Sequence, residues 1–175
     1  YITRTRAEYR AMLKSAAGGG ALTAITTYLK FALAALGLSA FWFGFWAGAA
    51  YAASFVLIQL LHFTLATKQP AMTAPAMAAK LHDVADTQAV EGFVDEVTHL
   101  VRSQAAAVLG NVLVVFPAAV LLSLVISLAS GQPMIDAKEA EHVFHSLTLV
   151  GPSLLFAAFT GVLLFASSII AGWVE

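Results

Sequence analysis

The chain has 175 residues, of which 60% are hydrophobic and only 11% charged, and its mean hydropathy is +0.84. A soluble domain carries about a quarter charged residues, so water is not the main solvent of this chain. Nine Lys/Arg against ten Asp/Glu leave no global field to draw nucleic acid or an acidic substrate. The absence of cysteine excludes disulfides, thiolate catalysis and Cys-based zinc or iron–sulfur sites.

The sequence opens at Tyr1 without an initiator Met and closes with Glu175 directly behind an apolar stretch, which reads as a piece of a longer chain. Arg4, Arg6, Arg10 and Lys14 form a basic start. The apolar sequence after it exceeds a signal-peptide core, so this start reads as a cytoplasmic flank. Beyond it, no Asp, Glu, Lys or Arg occurs over 31–67, 103–135 or 142–174. One crossing needs about 20 apolar residues. The first run is too long for one crossing, and Gly37-Leu38-Ser39 marks a tight turn within it. The expected architecture is an all-α polytopic bundle with spans at about 20–38, 40–61, 104–128 and 152–174. A kink is expected at Pro117.

The segment of about 67–102 is a polar, Pro-punctuated turn followed by an amphipathic helix. Met77, Leu81 and Val84 form one apolar row, and Val90, Phe93, Val94, Val97, Leu100 and Val101 form another. Such a helix lies on the membrane surface or covers the bundle. After the third span, Ser130-Gly131-Gln132-Pro133 ends a helix, and Asp136 with Glu139 makes a capping box for short amphipathic turns. Gly151-Pro152 introduces the last span.

Basic residues orient the bundle. Four precede the first span, Lys68, Lys80 and Arg102 lie between the second and third, and Lys138 alone lies between the third and fourth. The positive-inside rule makes the first two groups cytoplasmic, and with them both ends of the segment. Phe41, Trp42, Phe43, Phe45 and Trp46 then fall at the outer interface and Trp173 at the inner one, as belt residues do. The competing topology has three spans, with residues 4–36 forming an interfacial helix.

Among candidate chemistry, Lys30 stands mid-way along the first span, where a lysine costs on the order of 3 kcal/mol. It either contacts an anionic substrate or lipid headgroup, or its stem snorkels to the interface. Asn111 and Gln59 join it as candidate substrate or lipid contacts. Thr23, Thr26, Thr27, Ser123 and Ser127 are the other polar groups within spans; they line a path or bond between helices and back to the backbone. Gly44, Gly48 and Ala52 form a small-residue face at four-residue spacing, which permits close helix packing. Glu91, Asp95 and His99, with Glu96, and Glu141, His142 and His145 carry weak metal-ligand spacings; a solvated polar stripe explains both as well. His62 reads as an interfacial residue. No cofactor is expected, and no Walker, Rossmann, nucleophile-elbow or H-E-x-x-H pattern occurs.

The runs 61–76, LHFTLATKQPAMTAPA, and 156–172, FAAFTGVLLFASSIIAG, resemble a bacterial membrane-protein family known as site-specific recombinase. The resemblance implies an inner-membrane location within a longer protein. Recombination chemistry needs a nucleophilic Tyr or Ser among basic residues, and DNA binding needs a basic surface. Tyr28 and Tyr51 instead fall within predicted spans and the inner loop is net acidic, so no direct nucleic-acid contact is expected. Three functions remain: a non-catalytic scaffold or assembly module, transport of a lipid or small solute, and a membrane-associated recombinase. Expected partners are the lipid bilayer, the rest of the same chain, and a second copy or other membrane helices.

Overall fold

A computed structural model describes residues 2–68, 87–148 and 150–174, the side chains of 68, 87–89, 168, 169 and 171–174 excepted. The described residues form α-helices and one 3-10 turn, with no strand among them. They divide into two compact units, Tyr1–Gln132 and Pro133–Glu175.

In the first unit, α1 spans Arg6–Ala35. It begins fourteen residues before the predicted first span because Thr5 and Glu8 form a capping box. The Thr5 hydroxyl accepts from the Glu8 amide at 3.2 Å, and the Glu8 carboxylate accepts from the amides of Thr5 at 3.1 Å and Arg4 at 2.7 Å. Those backbone donors, Arg4 first, hold the Glu8 carboxyl below its ordinary range. The residues taken as a flank are thus helical, and α1 is about 45 Å long. It ends at the expected turn, where Gly37 has φ +62° and needs no side chain's tolerance of that region.

Helix α2, Ala40–Leu60, returns antiparallel to α1, with Thr26 and Ser54 joined hydroxyl to hydroxyl. It stops without a glycine. His62 takes φ +56°, its amide donates to Gln59 at 3.0 Å, and the Phe63 amide donates to Ile58 at 2.9 Å. This is the Schellman pattern with histidine in the left-handed position. A 3-10 turn at Ala66–Lys68 follows.

Helix α3 runs unbroken over Thr87–Ser130, 44 residues and about 66 Å. It joins what the sequence divides into an amphipathic cytoplasmic helix and a third span. Arg102 changes the polarity of the chain there but removes no backbone hydrogen bond, so it gives the helix no reason to stop. Pro117 lies inside α3. Met77, Leu81 and Val84, the first expected apolar row, lie outside the described residues, as does most of the turn before them. Helices α1 and α3 run the same way, since Thr3 meets Ser103 while Gly20 meets Asn111. The three helices thus run up, down and up.

In the second unit, α4 covers Ala137–Ser146 and α5 covers Ser153–Val174. Of the exchange expected at the start of α4, the Asp136 carboxylate accepts from the Glu139 amide at 2.7 Å. Gly131 precedes this unit with φ +68°, closing α3.

Among the described residues two helices are long and apolar enough to cross a membrane: Ala40–Leu60 and, within α3, Val90–Ser130. A shorter apolar stretch covers Ser153–Ser167. Much of their apolar surface is exposed. Phe116 is 72% exposed and Leu128 79%, with Leu113 exposed before them and Val120, Leu121, Leu124 and Val125 between them. Monomeric soluble proteins rarely leave so continuous an apolar surface uncovered.

Candidate functional site

The best-built polar site in the first unit is a junction where α1, the exit from α2 and α3 meet. Its centre is Asn111. The side-chain amide donates to the Ala16 carbonyl at 2.6 Å and to the Thr64 carbonyl at 2.9 Å, and its oxygen accepts from the Ala66 amide at 2.7 Å. One side chain therefore ties three segments. Beside it Ser15 donates to the His62 carbonyl at 2.8 Å and pairs with the Thr64 hydroxyl at 3.0 Å. The Thr64 amide closes the set on the Ser15 carbonyl at 3.2 Å. At His62, Thr64 and Ala66 these bonds satisfy backbone groups that the end of α2 leaves outside a helix ladder.

Glycines let the segments approach so closely. A Cβ on Gly20 would stand 2.6 Å from the Asn111 carbonyl oxygen, and one on Gly110 would stand 2.8 Å from the Leu13 carbonyl oxygen. The ring of Phe63 lies over Gly18, 2.5 Å from where a Cβ would be. Ala16, Ala106 and Ala107 are fully buried around them. The packing face expected from the sequence, Gly44, Gly48 and Ala52, lies elsewhere. Gly44 and Gly48 have open space at the Cβ position, and Ala52 is exposed.

Towards the start of α1 a second polar cluster joins the same helices. Ser103 is fully buried, accepts from the Thr3 amide at 2.7 Å and donates to the His99 carbonyl at 2.7 Å. Arg4 pairs with Glu96 at 2.8 Å, and this hydrogen bond and charge raise the Arg4 pKa further above its ordinary value. The Arg102 guanidinium lies over the Tyr9 ring, 5.1 Å from its centre. Of the weak ligand spacing here, Glu91 and Asp95 are exposed, Glu96 is turned to Arg4, and the buried Nδ1 of His99 has no hydrogen-bond partner among the described residues. On α4, His145 lies 3.8 Å from Glu141, both well exposed. Among the described residues no three His, Asp or Glu side chains form a group that could hold a metal ion.

The polar residues expected within spans are largely occupied. Thr23, Thr26 and Thr27 each donate to the carbonyl four residues back, at 2.8 to 2.9 Å. Gln59 is exposed near the end of α2. Lys30 is half-buried, with its ammonium 5.8 Å from the centre of the Phe31 ring. The second unit contributes an apolar hollow of about 440 Å³ between Ile135, Ala140, Val143, Phe144, Leu147 and Thr148, with no charged group lining it.

A protein-family model described as "Site-specific recombinase" matches residues 1–175. No curated protein and no solved structure matches the chain.

Proposed function

The chain belongs to the site-specific recombinase family, and on that premise we propose that these residues form its inner-membrane module and act as a non-catalytic scaffold. In this reading the bundle crosses four times, by α1, α2, the apolar part of α3, and α5. Both ends are cytoplasmic in a bacterial cell, and the early part of α3 stands on the cytoplasmic side. The observation that carries the proposal is the closure of the polar groups on one another. Asn111 ties α3 to α1 and to the exit from α2, Thr26 ties α1 to α2, and the three threonines of α1 also turn back onto carbonyls of their own helix, so these groups offer little to a passing solute. The open face of Gly44 and Gly48 supports the same reading. It leaves room for a partner helix, from the rest of the chain or from a second copy.

The test uses the full-length protein in native membranes, with single cysteines replacing Thr23, Thr27 and Ser123. The segment has no cysteine of its own. A scaffold leaves all three unlabelled by a membrane-impermeant thiol reagent from either side, while a cysteine at Leu38 in the turn labels. Labelling at 23 and 27 that an added solute suppresses would establish a water-filled path and favour transport.

The family description and one contact favour a second reading, recombination. Tyr9 lies under Arg102 and is flanked on α1 by Arg6 and Arg10, and a tyrosine among basic groups is what attack on a scissile phosphate requires. The guanidinium, however, covers the ring face, which is a packing contact. Tyr9→Phe keeps that face and removes the phenolic oxygen. On the scaffold reading, any DNA exchange by the full-length protein is unchanged by Y9F; complete loss would install Tyr9 as the nucleophile.

A further inference from the structure

We infer that Lys30 binds the phosphate of an anionic phospholipid in the leaflet facing the Gly37 turn, from a position just beneath an aromatic girdle on the paired helix. The inference rests on the membrane-module reading of α1 and α2. Three observations carry it.

The first is the register of the hairpin. Thr26 and Ser54 meet across antiparallel helices, and Gly18 meets Phe63, just past the end of α2, within one residue of the same register. Lys30, four residues further up α1, is therefore level with Ala50, and Ala34 is level with Trp46. The first two turns of α2 carry Phe41, Trp42, Phe45 and Trp46 in edge-to-face contact, with centroids 5.4 to 5.9 Å apart. Both tryptophans are half exposed, at 51% and 50%. Such a cluster sits at headgroup level.

The second is depth. Lys30 lies seven residues before Gly37, about 10 Å below the turn, and one helical turn of about 5.4 Å below Trp46. A lysine stem spans that last distance when it snorkels. The ammonium then arrives at the phosphate layer while its Cα stays among acyl chains.

The third is charge. In this unit the described carboxylates are Glu8, Glu91, Asp95 and Glu96. Glu8 is 22 residues from Lys30 on the same helix, about 33 Å away. Glu96 pairs with Arg4, beyond even that end, and Glu91 and Asp95 lie within two turns of Glu96 on α3. None of them reaches Lys30. Its ammonium lies 5.8 Å from the centre of the Phe31 ring, whose face tolerates a cation without neutralising it. An ammonium is a compact point charge that suits phosphate, and a lipid phosphate is the anion this depth supplies.

The experiment loads the full-length protein in mild detergent with equal amounts of phosphatidylglycerol and phosphatidylcholine and reads retained lipid by native mass spectrometry. The unsubstituted protein is expected to retain phosphatidylglycerol in preference. Lys30→Gln lowers that preference about five-fold, the worth of one basic residue near a lipid surface, and Lys30→Arg keeps it. A preference unchanged in K30Q overturns the site, and so does displacement of phosphatidylglycerol by excess inorganic phosphate, which would mark a general anion site. A nitroxide on Leu29→Cys, exposed beside Lys30, separates membrane depth from lipid binding. Headgroup depth in phosphatidylglycerol vesicles with no K30Q effect leaves the membrane reading standing and removes the lipid site. A label fully in water removes the membrane reading of α1 and the lipid site with it.

Discussion

Asn111→Leu should destabilise the folded bundle by about 2–4 kcal/mol, the largest loss expected from any polar substitution in the segment. Leucine repeats the branched heavy-atom skeleton of asparagine with bulkier methyl tips, so the loss is chiefly one of hydrogen bonds. The Ala16 carbonyl keeps its own helical bond. The Thr64 carbonyl and the Ala66 amide lie outside any helix ladder and lose the partner that Asn111 gives each of them. Each such group left unsatisfied away from water costs about 1–3 kcal/mol. Other partners found by the unfolded chain in a membrane lower the worth of an interhelical bond to about 0.6 kcal/mol on average, which places the expected loss in the lower half of the roughly 2–6 kcal/mol that two such groups allow. Asn111→Asp should do no better, because a carboxylate offers no donor to the carbonyls of Ala16 and Thr64. Gln59→Leu serves as the control: Gln59 is exposed, and its replacement should change stability by less than about 0.5 kcal/mol. The measurement is reversible unfolding of the protein from mild into denaturing detergent. Equal stability of N111L and Q59L would show that the junction does not hold the helices together.

The parts of this fold that were legible in the sequence are those where polarity and backbone geometry change at the same residue. At Gly37-Leu38-Ser39 a charge-free run too long for one crossing coincides with a residue that adopts positive φ, so turn and helix ends follow together. At Arg102 only the polarity changes, and the backbone of α3 continues through it. At Thr5 the reverse holds. The Thr-x-x-Glu spacing from Thr5 to Glu8 announces a helix start, but the basic residues around it obscure that signal when charge is used to measure the membrane. Asn111 stands out as a polar group in an apolar run. Its partners do not, because they are backbone groups 95 and 45 to 47 residues away, and every residue type carries those. Lys30 is intermediate: its cost is visible in the sequence, while its height beneath Trp46 depends on the Thr26–Ser54 register.

The glycines test the same distinction with opposite signs. Gly20→Ala is expected to cost about 2–3 kcal/mol, whereas Gly44→Ala and Gly48→Ala should be neutral or stabilising by up to about 1 kcal/mol. Three adjacent glycines inside α1 weaken it by roughly 1 kcal/mol each relative to alanine. A close approach that only glycine allows offsets that cost. The approach is to backbone: the Asn111 carbonyl oxygen would lie 2.6 Å from a Cβ on Gly20, and neither helix has a flexible side-chain tip there to move aside. The helices must separate, and separation stretches the Asn111 bonds as well, so G20A and N111L should be less than additive when combined. At Gly44 and Gly48 a methyl meets open space, leaving only the gain in helix propensity. The four-residue spacing of Gly44, Gly48 and Ala52 states that a face permits approach, and the partner decides whether approach occurs. A double substitution G44A/G48A in the full-length protein therefore reads out that partner. Unchanged or higher stability is expected of the isolated protein in detergent. A stability loss that appears only in native membranes would identify this face as the one a neighbouring helix occupies. A loss in detergent as large as that of G20A would mean that close glycine contact at the α1–α3 junction is not what sets the stability of the bundle.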